Sequence, residues 1–133
     1  MPLRELNQAE RLLLDFLLTK PFSGRDALSR QAETVQTGGS SCTCGCPSFS
    51  LVPDRSLPPT EIPGRAVVSD AHGLDPGGTE IGVLLFIDEG YLFDVEVFNY
   101  DGSDFGGVPH PSALKILEWS APDSDGHHRL LNP

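Results

Sequence analysis

Between Glu80 and Tyr100 two stretches alternate strictly: Ile81, Val83, Leu85 and Ile87, then Tyr91, Phe93, Val95 and Val97, with Asp88-Glu89-Gly90 between them. Period-two alternation marks strands with one face in a core, and a glycine at the junction marks a tight antiparallel turn. The segment therefore reads as a hairpin. A regular two-residue turn at Glu89-Gly90 would set Leu85 opposite Asp94 and Val83 opposite Glu96. A three-residue loop with Gly90 left-handed instead pairs Leu85 with Phe93 and Val83 with Val95, and this register is expected because it keeps every apolar partner on one face.

A lone hairpin is marginal in water, so its apolar face needs a cover. The N-terminal part supplies helices. Asn7-Gln8-Ala9-Glu10 reads as an N-cap with its acid three residues on, a capping-box variant. Ala9, Leu13, Phe16 and Leu17 then form one stripe, widened by Leu12, Leu14 and Leu18, and Pro21 stops the helix. Ser23-Gly24-Arg25-Asp26 is expected to start a second, shorter helix in the same way, with Ala27, Leu28 and Ala32 inward and Gly38-Gly39 closing it after a short extended stretch around Val35.

Ser41–Val52 reads as a strand broken at Gly45-Cys46-Pro47. Asp54–Gly64, with Pro58, Pro59 and Pro63, is a loop; Arg65–Ser69 is a short strand and Ala71–Thr79 a further loop. The expected architecture is α+β: two N-terminal helices packed on an antiparallel sheet of about four to five strands with Glu80–Tyr100 as central hairpin. One domain spans 1–118, and 119–133 is a polar C-terminal tail with Trp119 as an anchor.

Charge is distributed unevenly. Through Arg65 the acids and bases balance, but from Ala66 to Leu114 nine acids stand without one Lys or Arg, so the whole net charge of −10 falls in the second half. Such a field repels nucleic acid and anionic membrane and speeds encounter with a basic protein. No apolar run approaches the roughly 20 residues a membrane helix needs. Met-Pro-Leu-Arg-Glu-Leu-Asn lacks the basic-then-apolar order of a signal peptide, which makes cytoplasmic residence the expectation. Cys42, Cys44 and Cys46, an odd number two residues apart, argue against a secreted disulfide scaffold.

Candidate chemistry is sparse. Cys42, Cys44 and Cys46 could supply thiolates to zinc with His72, His110, His127 or His128 as fourth ligand, but their spacing is not that of paired zinc knuckles. The expectation is that they are small apolar side chains facing inward, with no metal or other cofactor. His110, held between Pro109 and Pro111, reads as a loop residue, with no nucleophile motif beside it. Asp75-Pro76-Gly77-Gly78 is a turn, since the lysine and following helix of a phosphate loop are missing.

The hairpin's other face carries Gly82, Leu84 and Phe86, then Leu92, Asp94, Glu96, Phe98 and Tyr100. Either a helix covers Leu84, Phe86 and Leu92, or Asp94, Glu96, Phe98 and Tyr100 form an exposed acidic-aromatic patch continued by Asp101 and Asp104. Aromatics supply contact area, and acids steer and pair with Arg or Lys. No catalytic residues are assigned.

The runs Cys44-Gly45-Cys46-Pro47-Ser48-Phe49, Gly82–Ile87 and Asp94–Gly102 resemble a group of small uncharacterised bacterial proteins over roughly Leu6–Leu117. In size, acidity and helix-then-sheet order the chain is also similar in type to immunity proteins that neutralise bacterial toxins. The expected function is a non-enzymatic acidic binding module, an immunity- or antitoxin-like inhibitor of a basic toxin such as a nuclease. The alternatives are a small metal-binding protein using the cysteine cluster, or a hydrolase of unknown substrate.

Overall fold

A computed structural model describes residues 2–40 and 45–117. Two short strands, β1 (Arg4–Glu5) and β2 (Gln36–Thr37), pair with each other around the helices α1 (Gln8–Leu17) and α2 (Arg25–Thr34). Then come β3 (Phe49–Ser50), β4 (Arg65–Leu74), β5 (Glu80–Asp88), β6 (Tyr91–Asn99), a 3-10 turn at Pro111–Ala113 and β7 (Leu114–Leu117). β3 to β7 form one antiparallel sheet in the order β3-β6-β5-β4-β7, with β5 at its centre. The fold is α+β with both helices N-terminal.

Helix α1 begins as its sequence directs. Asn7 Oδ1 accepts the Glu10 N–H at 2.8 Å, and Glu10 Oε1 accepts the Asn7 N–H at 2.9 Å. The Arg4 guanidinium closes on both Glu10 oxygens at 2.8 and 2.9 Å, tying β1 to the cap. Burial raises the Glu10 pKa and Arg4 and the Asn7 N–H lower it; the pairing prevails and holds Glu10 below its ordinary value. Leu13, Leu14 and Leu17 are fully buried, each worth about 2 kcal/mol of transfer free energy, whereas Leu12 faces out.

Helix α2 departs from expectation at its start and in its length. Its N-cap is Gly24 at φ 89°, with no side-chain cap, so Ser23 does not play the role Asn7 plays in α1. Glycine suits this entry on two counts: it adopts positive φ freely, and an added Cβ would lie 3.2 Å from the Thr60 Cβ. The helix ends at Thr34, before Gly38-Gly39, because Val35 turns extended to bring Gln36–Thr37 beside β1. At 10 residues it equals α1 in length.

The core lies between the helices and one face of the sheet. Leu13, Leu14, Leu17 and Leu28 meet Ile81, Val83, Leu85 and Ile87 of β5 and Leu92, Val95 and Val97 of β6. Parity along β6 is not constant. The turn has two residues, Glu89 at φ 48° and Gly90 at φ 85°, as a type I′ hairpin requires. The ladder then shifts between Phe86 and Ile87, so that Phe93 and Asp94 together oppose Phe86. Beyond this bulge Leu85 pairs with Val95 and Val83 with Val97. The three-residue loop is therefore wrong: a tight turn plus one extra residue keeps the apolar pairs together. Leu92 turns inward to full burial, while Tyr91 and Phe93 are only half-buried.

Strand β4 is twice as long as Arg65–Ser69, and the loop placed at Ala71–Thr79 shrinks to the turn after Leu74. Ala71-His72-Gly73 carries little hydrophobicity of its own but is paired on both sides, with β5 and β7. Gly73 permits that approach: a Cβ there would sit 1.9 Å from the Ala113 carbonyl oxygen. Among the described residues of Ser41–Val52, Phe49–Ser50 alone forms sheet ladder, with isolated bridges at Phe49 and Val52; Cys42 and Cys44 lie outside the described residues, as do Trp119 and the tail.

One buried side chain joins these parts. Gln31 of α2 donates from Nε2 to the carbonyls of Gly90 and Pro58, both at 3.1 Å, and accepts the Leu92 N–H at 2.9 Å. Thr60 N–H also donates to Gly90 C=O at 2.9 Å, and Glu89 N–H to Gly64 C=O at 3.0 Å. Replacing Gln31 with Met keeps the volume but strands the Leu92 N–H in the core, so unfolding free energy should fall by about 2–3 kcal/mol in urea titration. Gly90→Ala should cost about 2 kcal/mol or more, because positive φ is strained and a Cβ would meet Thr60 O at 2.4 Å.

Candidate functional site

The helices pack on one sheet face, so the other face has no helix over it among the described residues. Its composition follows from cross-strand register. One row runs Ser50, Asp94, Phe86, Val67; the next Glu96, Leu84, Asp70, Leu117; the next Phe98, Gly82, His72, Lys115. Leu84 and Phe86 are half-buried on this face and not covered by α1 or α2, contrary to one of the two expectations.

Asp94, Glu96 and Phe98 thus share the outer side of β6, separated by two residues each. Tyr100 lies just past the strand, 59% exposed, with its ring centroid 5.3 Å from that of Phe98 and the planes at 72°. This edge-to-face arrangement is the favoured one for aromatic pairs. Phe98 is seated by glycine: a Cβ on Gly82 would fall 2.3 Å from the Phe98 ring, so the ring lies directly over the β5 backbone.

Asp101 and Asp104 continue from Tyr100 in the following loop. Asp101 Oδ1 accepts the Ser103 N–H at 2.9 Å, and hydrogen bonds from Ser103 hold its carboxyl below the ordinary value. Asn99 Oδ1 takes the Gly102 N–H at 3.1 Å, and its amide donates to Ser103 C=O. Asp104 lines an open cleft of about 490 Å³ with Gly45, Asn99, Ser103 and Phe105.

The turn end of the same face holds residues that sequence reasoning missed. Arg65 stacks over Phe93 at 4.2 Å and reaches Asp88 at 3.7 Å; Arg55 stacks over Tyr91 at 4.3 Å. Tyr91 Oη donates toward the carbonyls of Leu57 at 2.9 Å and Arg55 at 3.2 Å, clasping the 54–64 loop. Both aromatics come to this face through the bulge at Phe93, which no local alternation could reveal.

Of the nine acids between Ala66 and Leu114, Asp75 is structural. It is buried, with Oδ1 accepting the N–H groups of Gly77 at 2.9 Å and Thr79 at 3.0 Å, and Oδ2 that of Gly106 at 2.6 Å. Burial pushes its pKa up, but these backbone donors outweigh burial and hold it low. The loop bearing Asp101 and Asp104 is thereby pinned to the β4–β5 turn, aided by Thr79 Oγ1 donating to Asp104 C=O at 3.1 Å.

Among the described residues no three His, Cys, Asp or Glu side chains are grouped to hold a metal. Cys46 is buried, with Sγ 3.1 Å from Ser48 Oγ. Ser48 Oγ accepts the Val97 N–H at 2.8 Å and donates to Val97 C=O at 3.3 Å. A hydroxyl has one proton, so Cys46 S–H is the donor to Ser48. His110 caps the 3-10 turn, its Nδ1 accepting the Ser112 N–H at 3.0 Å, and borders an open cleft of about 320 Å³ with Leu12 and Val108. His127 and His128 lie outside the described residues.

Comparison with protein-family models, with curated proteins and with solved structures returns no match.

Asp75 gives a pH prediction. A carboxyl whose folded pKa is depressed contributes stability above its unfolded pKa, about 3.9, and that contribution disappears as pH falls through the folded value. Asp75→Asn, which turns an amide N–H toward a backbone N–H, should lower stability by about 1–3 kcal/mol near pH 7. Urea titrations between about pH 6 and 2 should show the gap between variant and wild type closing as acid is added.

Proposed function

We propose that this chain is a non-enzymatic acidic protein-binding module, most concretely an immunity- or antitoxin-like inhibitor of a basic toxin such as a nuclease. The supporting observation is the outer sheet face, over which no described helix lies, where Asp94, Glu96, Phe98 and Tyr100 lie together and Asp101 and Asp104 follow in a braced loop. A pleated surface offers contact area, the half-buried Phe98 and the exposed Tyr100 supply anchors, and carboxylates beside them pair with a cationic partner. In this mechanism the carboxylates stand where a basic toxin's anionic substrate would lie and occlude its site. The same field disfavours nucleic acid and anionic membrane as partners. No described helix is long and apolar enough to cross a membrane, and a cytoplasmic site of action, with Cys46 as a free thiol, completes the reading.

The test is a pull-down from the source cell followed by binding kinetics on the basic protein recovered. Association should slow steeply as salt rises past about 0.15 M, where the screening length is near 8 Å. Replacing Asp94, Glu96, Asp101 and Asp104 with Asn or Gln should mainly lower the on-rate, by about tenfold at low salt. Phe98→Ala or Tyr100→Ala should mainly raise the off-rate. Recovery of only acidic or neutral partners, or kinetics indifferent to salt and to these substitutions, overturns the proposal.

A further inference from the structure

The outer face already receives cations at one end. At the hairpin-turn end, Tyr91 and Phe93 each carry a guanidinium 4.3 and 4.2 Å from the ring centroid, and the Arg65 guanidinium also reaches the Asp88 carboxylate at 3.7 Å. These are the protein's own arginines, delivered by the 54–64 loop and the start of β4. At the other end stands a second aromatic pair, Phe98 and Tyr100, with a carboxylate two residues back at exposed Glu96 and two further acids in the next loop. Among the described residues no arginine lies over either ring. Seated on Gly82, Phe98 is held in place before any partner arrives, so little ordering entropy is lost on contact.

We infer that Phe98, Tyr100 and Glu96 form a receptor for an arginine side chain of the partner, in preference to lysine. This rests on the binding reading above and adds the partner's chemistry to it. A planar guanidinium can stack on a ring while its edge donates two parallel hydrogen bonds to a carboxylate, as Arg65 does between Phe93 and Asp88 in one-sided form; a lysine ammonium is a compact, strongly hydrated charge that gains less from the ring. His72 and Lys115 lie in the cross-strand row of Phe98, beyond Gly82, so the arginine must approach from the Glu96 or Tyr100 side.

The experiment titrates the full chain with oligo-arginine and oligo-lysine peptides of equal length, about eight residues, at fixed ionic strength, following Kd and the ring-proton NMR signals of Phe98 and Tyr100. Wild type should bind the arginine peptide about two- to fivefold more tightly, the ratio expected of a surface cation–π contact, with the ring signals of both residues shifting. Tyr100→Leu, at an exposed position, should bring the ratio near one while salt-dependent binding of both peptides persists; Phe98→Leu, checked like it for a normal melting curve, should do the same. Phe93→Leu, whose ring is already occupied by Arg65, should leave the ratio unchanged. Equal, salt-sensitive binding of the two peptides by wild type overturns the arginine receptor and leaves the acidic binding face standing. Binding of neither peptide overturns both. A preference that survives Tyr100→Leu and Phe98→Leu places arginine selection elsewhere and overturns this site.

Discussion

The buried amide of Gln31 is the contact on which the two halves of this fold depend. It is fully buried, and its three hydrogen bonds all go to backbone: two carbonyls, one at the hairpin turn and one in the proline-rich loop, and the N–H of Leu92. Apolar packing between helix and sheet tolerates sliding, but a primary amide satisfied by three fixed backbone groups does not. The turn residue Gly90 is gripped from two directions, since its carbonyl also takes the Thr60 N–H. Helix α2, the 54–64 loop and the β5–β6 turn are therefore one mechanical unit.

That unit controls which residues the outer face presents. With the turn anchored and Leu92 drawn inward by Gln31, the chain must regain pairing with β5, and it does so through the bulge at Phe93. The bulge places Asp94, Glu96 and Phe98 outward and Val95 and Val97 inward. The free edge of β6 is closed by small contributions from several segments: Gln31 at Leu92, the Leu51 N–H at Phe93 C=O, two residues of β3, and Ser48 Oγ at Val97. Closing this edge leaves a sheet face available for contact without leaving β6 itself open to further strands.

The acidity of the second half divides into two kinds of carboxylate. Asp75 is internal, its charge stabilised by backbone N–H groups, and fastens two loops together. Glu96 is open to solvent beside aromatic rings. Composition treats the two alike; only their surroundings separate a brace from a contact residue, and the steering field proposed here belongs to the second kind.

Some of this was legible in the residues alone. The Asn7–Glu10 cap, the leucine stripe of α1, the proline-bearing loop and the two strands of the hairpin are local, because each depends on side chains within a few positions of one another. So was the sharing of one face by Asp94, Glu96 and Phe98, which follows from period two. What the tertiary structure decided was everything requiring a distant partner. The close packing of the α2 entry at Gly24 is against Thr60, the second half of β4 exists because β5 and β7 flank it, and the turn end of β6 is held by Gln31, 61 positions from Leu92. Alternation reports where a strand is half-buried but not where an extra residue interrupts it, since a bulge adds no local signal and is chosen by the contacts on either side.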